Sequence, residues 1–434
     1  MKRIGKTHNG IQPYKGVRDF YPEDERVQNH IFGAMRRAAE RYGYEEMNAS
    51  ILEPTELYLS KTSEEIINEQ SYTFTDRGDR SVTLRPEMTP TVARMVGTRR
   101  RELGFPLRWY SIQNFFRYER PQKGRVREFW QLNADLFGAP ELEADIEVIS
   151  LAHRIMDELD APESAYSIRI GSRAVLEAAL GAAGLSGDGA KAYRKILDAK
   201  RKTGEKGYKD AVATLTKSDP LSIIASRSDA KVATAMASVD VVIARLEKSG
   251  ITNAVHDPGI VRGLDYYTDI VFEVFDTNPE NPRALAGGGR YDKLIESYGY
   301  EALPAVGFAM GDVTIRDFLE THKLLPTLAP SADLYLAPVT EADSAGITSA
   351  AAAADVMRAR GANVALGMST RPGKHGKVAD HIKTASKLGI SSFAAYGEKE
   401  SASGNLAVKD LATGDEKIVS IEDAALLVKR DKKR

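Results

Sequence analysis

The chain has 434 residues, 60 of them Lys or Arg and 61 Asp or Glu, for a net charge of −1, and it contains no cysteine. That length exceeds one ordinary hydrophobic core, so two or three domains are expected. Balanced charge excludes a global field that draws the molecule to nucleic acid and leaves only local patches, while the missing cysteine excludes disulfides and thiolate metal sites. The seven histidines form no H-E-x-x-H pattern, so no protein-held metal is expected. The basic start MKRIGKTHNG leads into no apolar segment, and no apolar run reaches about 18 residues, so a cytoplasmic protein with no membrane partner is expected.

In chain order, residues 24–47 predict a helix, with Val27, Ile31, Ala34 and Met35 as its apolar stripe. Residues 48–60 read as extended through Pro54. In TLRPEMTP, 83–90, Glu87 and Thr89 fall at a strand-to-helix junction, where Glu87 is either an ordinary helix-start residue or a receiver for an ammonium group. Residues 105–137 predict a long β-hairpin and 141–160 an acidic-headed amphipathic helix. From about 172 to 250 the chain becomes Ala-, Lys- and Asp-rich with few aromatics, which reads as an inserted helical module. Strands and glycines return from His256 to Tyr298. After a linker at 327–338, strand and helix alternate to the end, a small α/β domain of about 100 residues. The final KRDKKR reads as a solvated tail.

The hairpin carries the densest information. Arg117, Arg120, Lys123, Arg125 and Arg127 surround the turn PQKG, either as a solvated turn or as cations around an anion. Period-two alternation puts Arg127, Phe129, Gln131, Asn133 and Asp135 on one face, and Glu128, Trp130, Leu132, Ala134 and Leu136 on the other. The first face suits a floor on which a base stacks against Phe129 and a polyphosphate meets Arg127. Gln131 and Asp135, about 13 Å apart along the strand, leave room between them for a small amino acid. In VRGLDYYTDIVFEVF, 261–275, Arg262 precedes two tyrosines and an apolar strand, so it is paired or functional. In AGGGRYDKLIESYG, 286–299, the three glycines mark either a loop or a close approach of backbone to a ligand.

Together RYERPQKGRVREFWQ, LRPEMTP, VRGLDYYT and GGGRYD, with GVRDFYPED near the start, closely resemble the histidyl-tRNA synthetases, which are class II aminoacyl-tRNA synthetases. The likeness spans essentially the whole chain. VRGLDYYT followed by GGGRYD is its specific part, since the arginine hairpin alone indicates only class II. The resemblance implies an α+β multidomain chain. Its antiparallel-sheet catalytic domain comprises 1–171 and 251–326, interrupted by a helical insertion at 172–250 and followed by an anticodon-binding α/β domain at 332–434. It further implies a homodimer formed through the region of Gly43 to Tyr58, and activation of L-histidine with ATP and Mg²⁺ before transfer to tRNA(His).

By the same resemblance Arg117 binds the α-phosphate, Glu119 lies near the adenine amino group, Arg125 and Arg127 contact ATP or tRNA, and Phe129 stacks on adenine. Glu87, Thr89 and Gln131 hold the α-amino group, with Met88 beside them. Tyr266, Tyr267 and Tyr291 line the imidazole pocket. Arg262 acts on the α-phosphate and the attacking carboxylate. Asp135 stands where many bacterial members carry Glu and eukaryotic and archaeal ones Asp, and an acid there selects histidine by accepting from its imidazole. The stretch GMSTRPGKHGKVADHIKTASKLG, 367–389, carries Arg371, Lys374, Lys377, Lys383 and Lys387, either as a solvated helix face or as a phosphate contact.

One segment departs from the family. After VGFAMG a Gly-Leu-Glu-Arg pattern is expected, its arginine sandwiching adenine and meeting the γ-phosphate. Here Val313 and Thr314 occupy the Glu and Arg positions. Arg316 lies about 200° further round the helix and reads as a salt-bridging surface residue, with Asp312 as the helix N-cap. The triphosphate tail is then expected on Arg125, Arg290 or another cation. Two rivals stand beside this reading: another class II specificity, and a non-catalytic regulatory subunit of ATP phosphoribosyltransferase built on the same fold.

Overall fold

The hairpin supplies two adjacent strands of a sheet that carries most of the candidate site. The computed structural model describes residues 12–59, 69–260, 266–339, 344–368 and 377–429. Its contacts divide the chain into two compact units: Gln28–Leu325 with the stretch up to Asp19, and Phe20–Val27 with the chain from Pro326 onward.

In the first unit α1 is Pro22–Arg41 from Gln28 on, burying Ile31, Ala34, Met35, Ala38 and Ala39. It stops before Gly43, whose φ of +76° is glycine's own region. The expected helix to residue 47 is therefore shorter, and β1, Glu45–Glu46, follows it. Next come β2 (Leu52–Pro54), α2 (Glu56–Leu59), β3 (Tyr72–Thr75), β4 (Ser81–Leu84) and α3 (Thr89–Arg99). The helical turn of α2 corrects the extended reading of 48–60: Leu57 and Tyr58 are buried only by turning the chain inward after Pro54. Strands β5 (Leu107–Phe116) and β6 (Glu128–Phe137) are the hairpin, and α4 (Leu142–Glu158) follows.

After β7 (Tyr166–Ser172) come four helices, α5 (Arg173–Ala182), α6 (Gly187–Ala213), α7 (Pro220–Ser226) and α8 (Ala230–Lys248). Leu176, Leu180, Tyr193, Leu197, Tyr208 and Val212 give this stretch a core of its own, and α6 breaks at Gly204. The chain then returns through β8 (Ala254–His256), β9 (Ile270–Asp276), β10 (Ala284–Arg290), β11 (Ala305–Gly311) and α9 (Asp312–Thr321).

Among the described residues the main sheet runs β1-β5-β6-β11-β10-β9-β7-β8. Its central pairings from β5 to β7 are antiparallel, and only the outer pairs β1–β5 and β7–β8 are parallel. Register fixes the site: Asp135 opposes Gly307, Gln131 opposes Gly311 and Gln113, and Phe129 opposes Phe115. From Leu132 onward both faces of β6 are buried. Helix α4 packs on β6, β10 and β11. Met88, Val92, Ala93 and Val96 of the α3 segment join Phe115, Phe137, Tyr266, Tyr267 and Tyr291 in one core cluster.

The three glycines of β10 lie in a strand rather than a loop, and Gly287 lines the open cavity beside the hairpin. A Cβ on Gly288 would meet the Gly307 carbonyl oxygen at 2.2 Å, and one on Gly289 would meet the Ile270 oxygen at 2.6 Å and Tyr267 at 3.0 Å. They let neighbouring strands and a tyrosine close in.

The second unit is built from β12 (Leu334–Pro338), α10 (Ser344–Ala359), β13 (Val364–Leu366), α11 (Val378–Lys387), β14 (Ser392–Tyr396), α12 (Glu398–Ser403), β15 (Asn405–Asp410), β16 (Glu416–Ser420) and α13 (Ile421–Val428). Its sheet order is β13-β12-β14-β15-β16, parallel about β12 and antiparallel beyond β14. Leu334, Leu336, Ala354, Met357, Ala394, Leu406 and Ala425 lie in its core.

Candidate active site

A polar nest in the core of the first unit begins at Asp135, 3% exposed on β6. Tyr291 donates its hydroxyl to the Asp135 carboxylate. Burial pushes the Asp135 carboxyl up to about 7, against the opposing pull of that hydrogen bond, and holds the Tyr291 hydroxyl well above its usual range. The rings of Tyr266 and Tyr267 lie 5.7 and 6.5 Å from that of Tyr291. Tyr266 in turn donates to Glu87 at 3.2 Å. The motifs at 87, 135, 266–267 and 291, far apart in sequence, thus meet as one cluster. Its close packing depends on Gly307, where a Cβ would sit 2.2 Å from the Asp135 carboxylate and 2.9 Å from the Tyr291 hydroxyl.

Glu87, Met88 and Thr89 are held by Arg85, which the sequence reading passed over. Its buried guanidinium donates to the carbonyls of Asn114 and Ala49, both at 2.9 Å, and to Gln113 at 2.7 Å. This pins the segment between β4 and α3 to the hairpin. Met88 is fully buried in the core, and Thr89 opens α3.

Arg117 leads from this nest outward. Its Nε donates to the Pro86 carbonyl at 3.0 Å, and its guanidinium lies 5.4 Å from the centre of the Phe129 ring. Burial lowers its pKa, and the charges of Glu87 and Glu119 act in the opposite sense. Arg117, Glu119, Arg125, Phe129 and Gln131 line an open cavity of about 1110 Å³. Of the residues grouped by strand alternation, Phe129 and Gln131 line this cavity, while Asp135 lies with Tyr291 in the nest. Arg262 and the rest of 261–265 lie outside the described residues.

Arg127 departs from expectation. It precedes the first residue of β6, so strand alternation does not govern it, and it is absent from the cavity lining. Its Nε donates to the Glu119 carbonyl at 3.2 Å and its Nη1 to Tyr14 at 2.9 Å, with the Tyr118 ring 3.9 Å away. It ties the N-terminal segment to the hairpin. Arg290 is likewise not available to a triphosphate: it is 4% exposed and paired with Asp145, with further bonds to the carbonyls of Ala139 and Glu141. Asp312 is the first residue of α9 rather than its N-cap, which is Gly311. Its carboxylate accepts from the Trp130 amide at 2.9 Å and from Arg18 at 2.7 Å, an arginine of the GVRDF segment. Arg316 pairs with Glu320 at 2.9 Å, as a salt-bridging residue should. Thr314 faces the cavity.

The cavity also has residues that carry no sequence signal: Arg169, Asp257, Glu273, Arg283, and Lys200 and Glu205 from α6. A lone charged residue carries no local pattern, whether it lies inside a strand as Arg169 and Glu273 do, in a helix as Lys200 and Glu205 do, or in a loop as Asp257 and Arg283 do, and only the fold gathers them. Among the described residues no group of three or more His, Asp or Glu side chains is arranged to hold a metal. No helix there is long and apolar enough to cross a membrane.

A mostly antiparallel sheet that includes an arginine-bearing hairpin, flanked by helices and followed by an α/β unit, defines a class II aminoacyl-tRNA synthetase fold. A histidyl-tRNA synthetase family model matches residues 16–314, and the chain belongs to that family. The histidine–tRNA ligase of Leptospira biflexa is 38% identical over 96% of this chain and 97% of its own. The apo histidyl-tRNA synthetase of Staphylococcus aureus superposes with a TM-score of 0.73 at 25% identity, covering 97% of this chain and all of the other. A Bacillus halodurans chain described as an ATP phosphoribosyltransferase regulatory subunit/histidyl-tRNA synthetase gives 0.72 at 23% identity, covering 90% and 99%, a likeness of fold alone.

Proposed function

We propose that this protein is a histidine–tRNA ligase, that the tyrosine-lined nest is its histidine site, and that the adjoining cavity is its ATP site. The observation that carries this is the junction of the two: a buried acid with a tyrosine partner at one end, and Arg117 beside Phe129 at the other, linked through Glu87. An acid in that setting accepts an N–H from an imidazole and leaves a side chain of similar size without a donor badly placed.

In the first step the histidine carboxylate oxygen attacks the α-phosphorus of ATP. A new O–P bond forms, the bond to the bridging oxygen of the β-phosphate breaks, and pyrophosphate leaves with that electron pair. In the second step a 3′-terminal ribose hydroxyl of the tRNA attacks the activated carbonyl, losing its proton as AMP departs. No protein nucleophile is needed, so catalysis is positioning and charge neutralisation. Glu87, Thr89 and Gln131 receive the ammonium group, Asp135 and Tyr291 with Tyr266 and Tyr267 receive the imidazole, and Arg117 meets the α-phosphate with Arg262. Phe129 takes the adenine face and Glu119 its amino group, with Arg125 beside it. Arg127 serves by holding the hairpin. Glu273, a carboxylate in the cavity lining, fits the hard-oxygen demand of Mg²⁺ on the phosphates, where the ion would neutralise charge.

Residues 172–250 serve as the insertion of a two-part catalytic domain, and 332–434 read the tRNA anticodon. The working form is a cytoplasmic homodimer. Histidine-dependent ATP–pyrophosphate exchange, followed by charging of tRNA(His), tests the reading. Exchange with a different amino acid would point to another class II specificity. No exchange with any amino acid would favour the regulatory-subunit role.

A further inference from the structure

A triphosphate needs cations along its length, and in this cavity most are already spoken for. Arg125 pairs with Glu119, Arg169 with Asp257 at 3.2 Å, and Lys200 with Glu205 at 3.2 Å. Among the described residues, Arg117 and Arg283 are the cavity arginines without a carboxylate ion pair. Arg117 is directed towards Glu87 and the histidine nest.

Arg283 lies at the hairpin turn. A Cβ on Gly124 would meet its Cδ at 2.8 Å and the Thr314 Cγ2 at 3.7 Å, so the arginine stem, the turn glycine and Thr314 crowd one spot. The turn and the β9–β10 connection are bonded in both directions: Arg283 Nε donates to the Lys123 carbonyl at 3.3 Å, and Lys123 Nζ to the Glu280 carbonyl at 3.4 Å. That fixes the stem while the Nη donors meet no acceptor among the described residues. Burial lowers the Arg283 pKa and the like charge of Arg125 lowers it further, with Glu119 opposing. A half-buried guanidinium beside another cation, with its fork unfilled, is stabilised by an anion.

We propose that Arg283 grips the β- and γ-phosphates of ATP at the place where Thr314 leaves the cavity without a cation, a role that rests on reading the cavity as the ATP site. A single arginine on the strand connection thereby does the work for which α9 carries no residue.

The test compares ATP with a sulfamoyl analogue of histidyl-adenylate, which lacks the β- and γ-phosphates. In Arg283→Ala the KM for ATP in histidine-dependent exchange should rise about tenfold or more, with the KM for histidine and the affinity for the analogue within about twofold of the parent. Arg283→Lys, which keeps the charge but loses the fork, should fall between the two. An unchanged KM for ATP would overturn the proposal, and so would an equal loss of ATP and analogue, which would put Arg283 on the base or in the scaffold. Failure of the unmodified protein to exchange would instead defeat the reading of the cavity, and this assignment with it.

Discussion

Asp135 is where the chemistry of the site is most exposed to pH. Its carboxyl is raised to about 7 by burial, so in the free protein it ionises across the range in which histidine itself titrates. As pH rises from 6 to 8 the acceptor carboxylate becomes populated, and the KM for histidine in pyrophosphate exchange should fall by more than the titration of free histidine explains. Asp135→Asn should remove that extra dependence and raise the KM about 100-fold. The same residue has a stability signature. A carboxyl whose folded pKa lies above its unfolded value is stabilising below about pH 4, and that contribution is lost as pH rises through 7, at a cost on the order of 4 kcal/mol. Thermal melts should therefore show Asp135→Asn gaining on the parent at pH 8 relative to pH 5. A parallel shift at both pH values would contradict the assignment. At this scale strand alternation pointed to Asp135, a strand-to-helix junction to Glu87, and the resemblance of VRGLDYYT and GGGRYD to the tyrosines. Arg85 and Arg283 did not stand out, because a solitary arginine reads the same on a surface as in a cavity.

Strand pairing decides what those residues can touch. Gly307 opposes Asp135 on one side and Gly289 on the other, and a methyl group at Gly307 would also meet the Ala134 carbonyl at 2.8 Å. Backbone cannot yield as a flexible side chain can, so Gly307→Ala should cost about 2 kcal/mol or more of stability. It should also disturb the Tyr291–Asp135 bond, raising the KM for histidine more than that for ATP. Equal effects on the two substrates would indicate general loosening of the sheet. The period-two reading of β6 placed Phe129, Gln131 and Asp135 on one face, and the alternation held where the strand is regular. It failed at Arg127, one residue before the strand begins, where loop geometry and the Tyr14 and Tyr118 rings take over. The helical turn at α2 and the N-cap at Gly311 were missed for a similar reason: boundaries of elements answer to tertiary contacts, here burial of Tyr58 and the Arg18–Asp312–Trp130 bonds.

For the whole molecule, near-neutral charge leaves tRNA binding to local patches. In the second unit Lys377, Lys383 and Lys387 are exposed along α11, while Arg371 and Lys374 lie outside the described residues. Replacing the three lysines by glutamine should raise the KM for tRNA about tenfold at moderate salt and flatten its salt dependence, since each phosphate contact releases counterions. Histidine-dependent pyrophosphate exchange should stay within about twofold, because it needs no tRNA. A matching fall in exchange would refute a purely tRNA-binding role. By itself the sequence determined the hairpin and, through the resemblance of its motifs, the family, and that resemblance in turn named the candidate histidine residues and the position of Thr314. Only the tertiary structure decided which cations remain for a triphosphate. It buried Arg290 against Asp145, turned Arg127 onto tyrosines, and brought Arg283 from a strand connection to the hairpin turn. Ion pairing is settled by distances across the fold, which one-dimensional spacing does not encode.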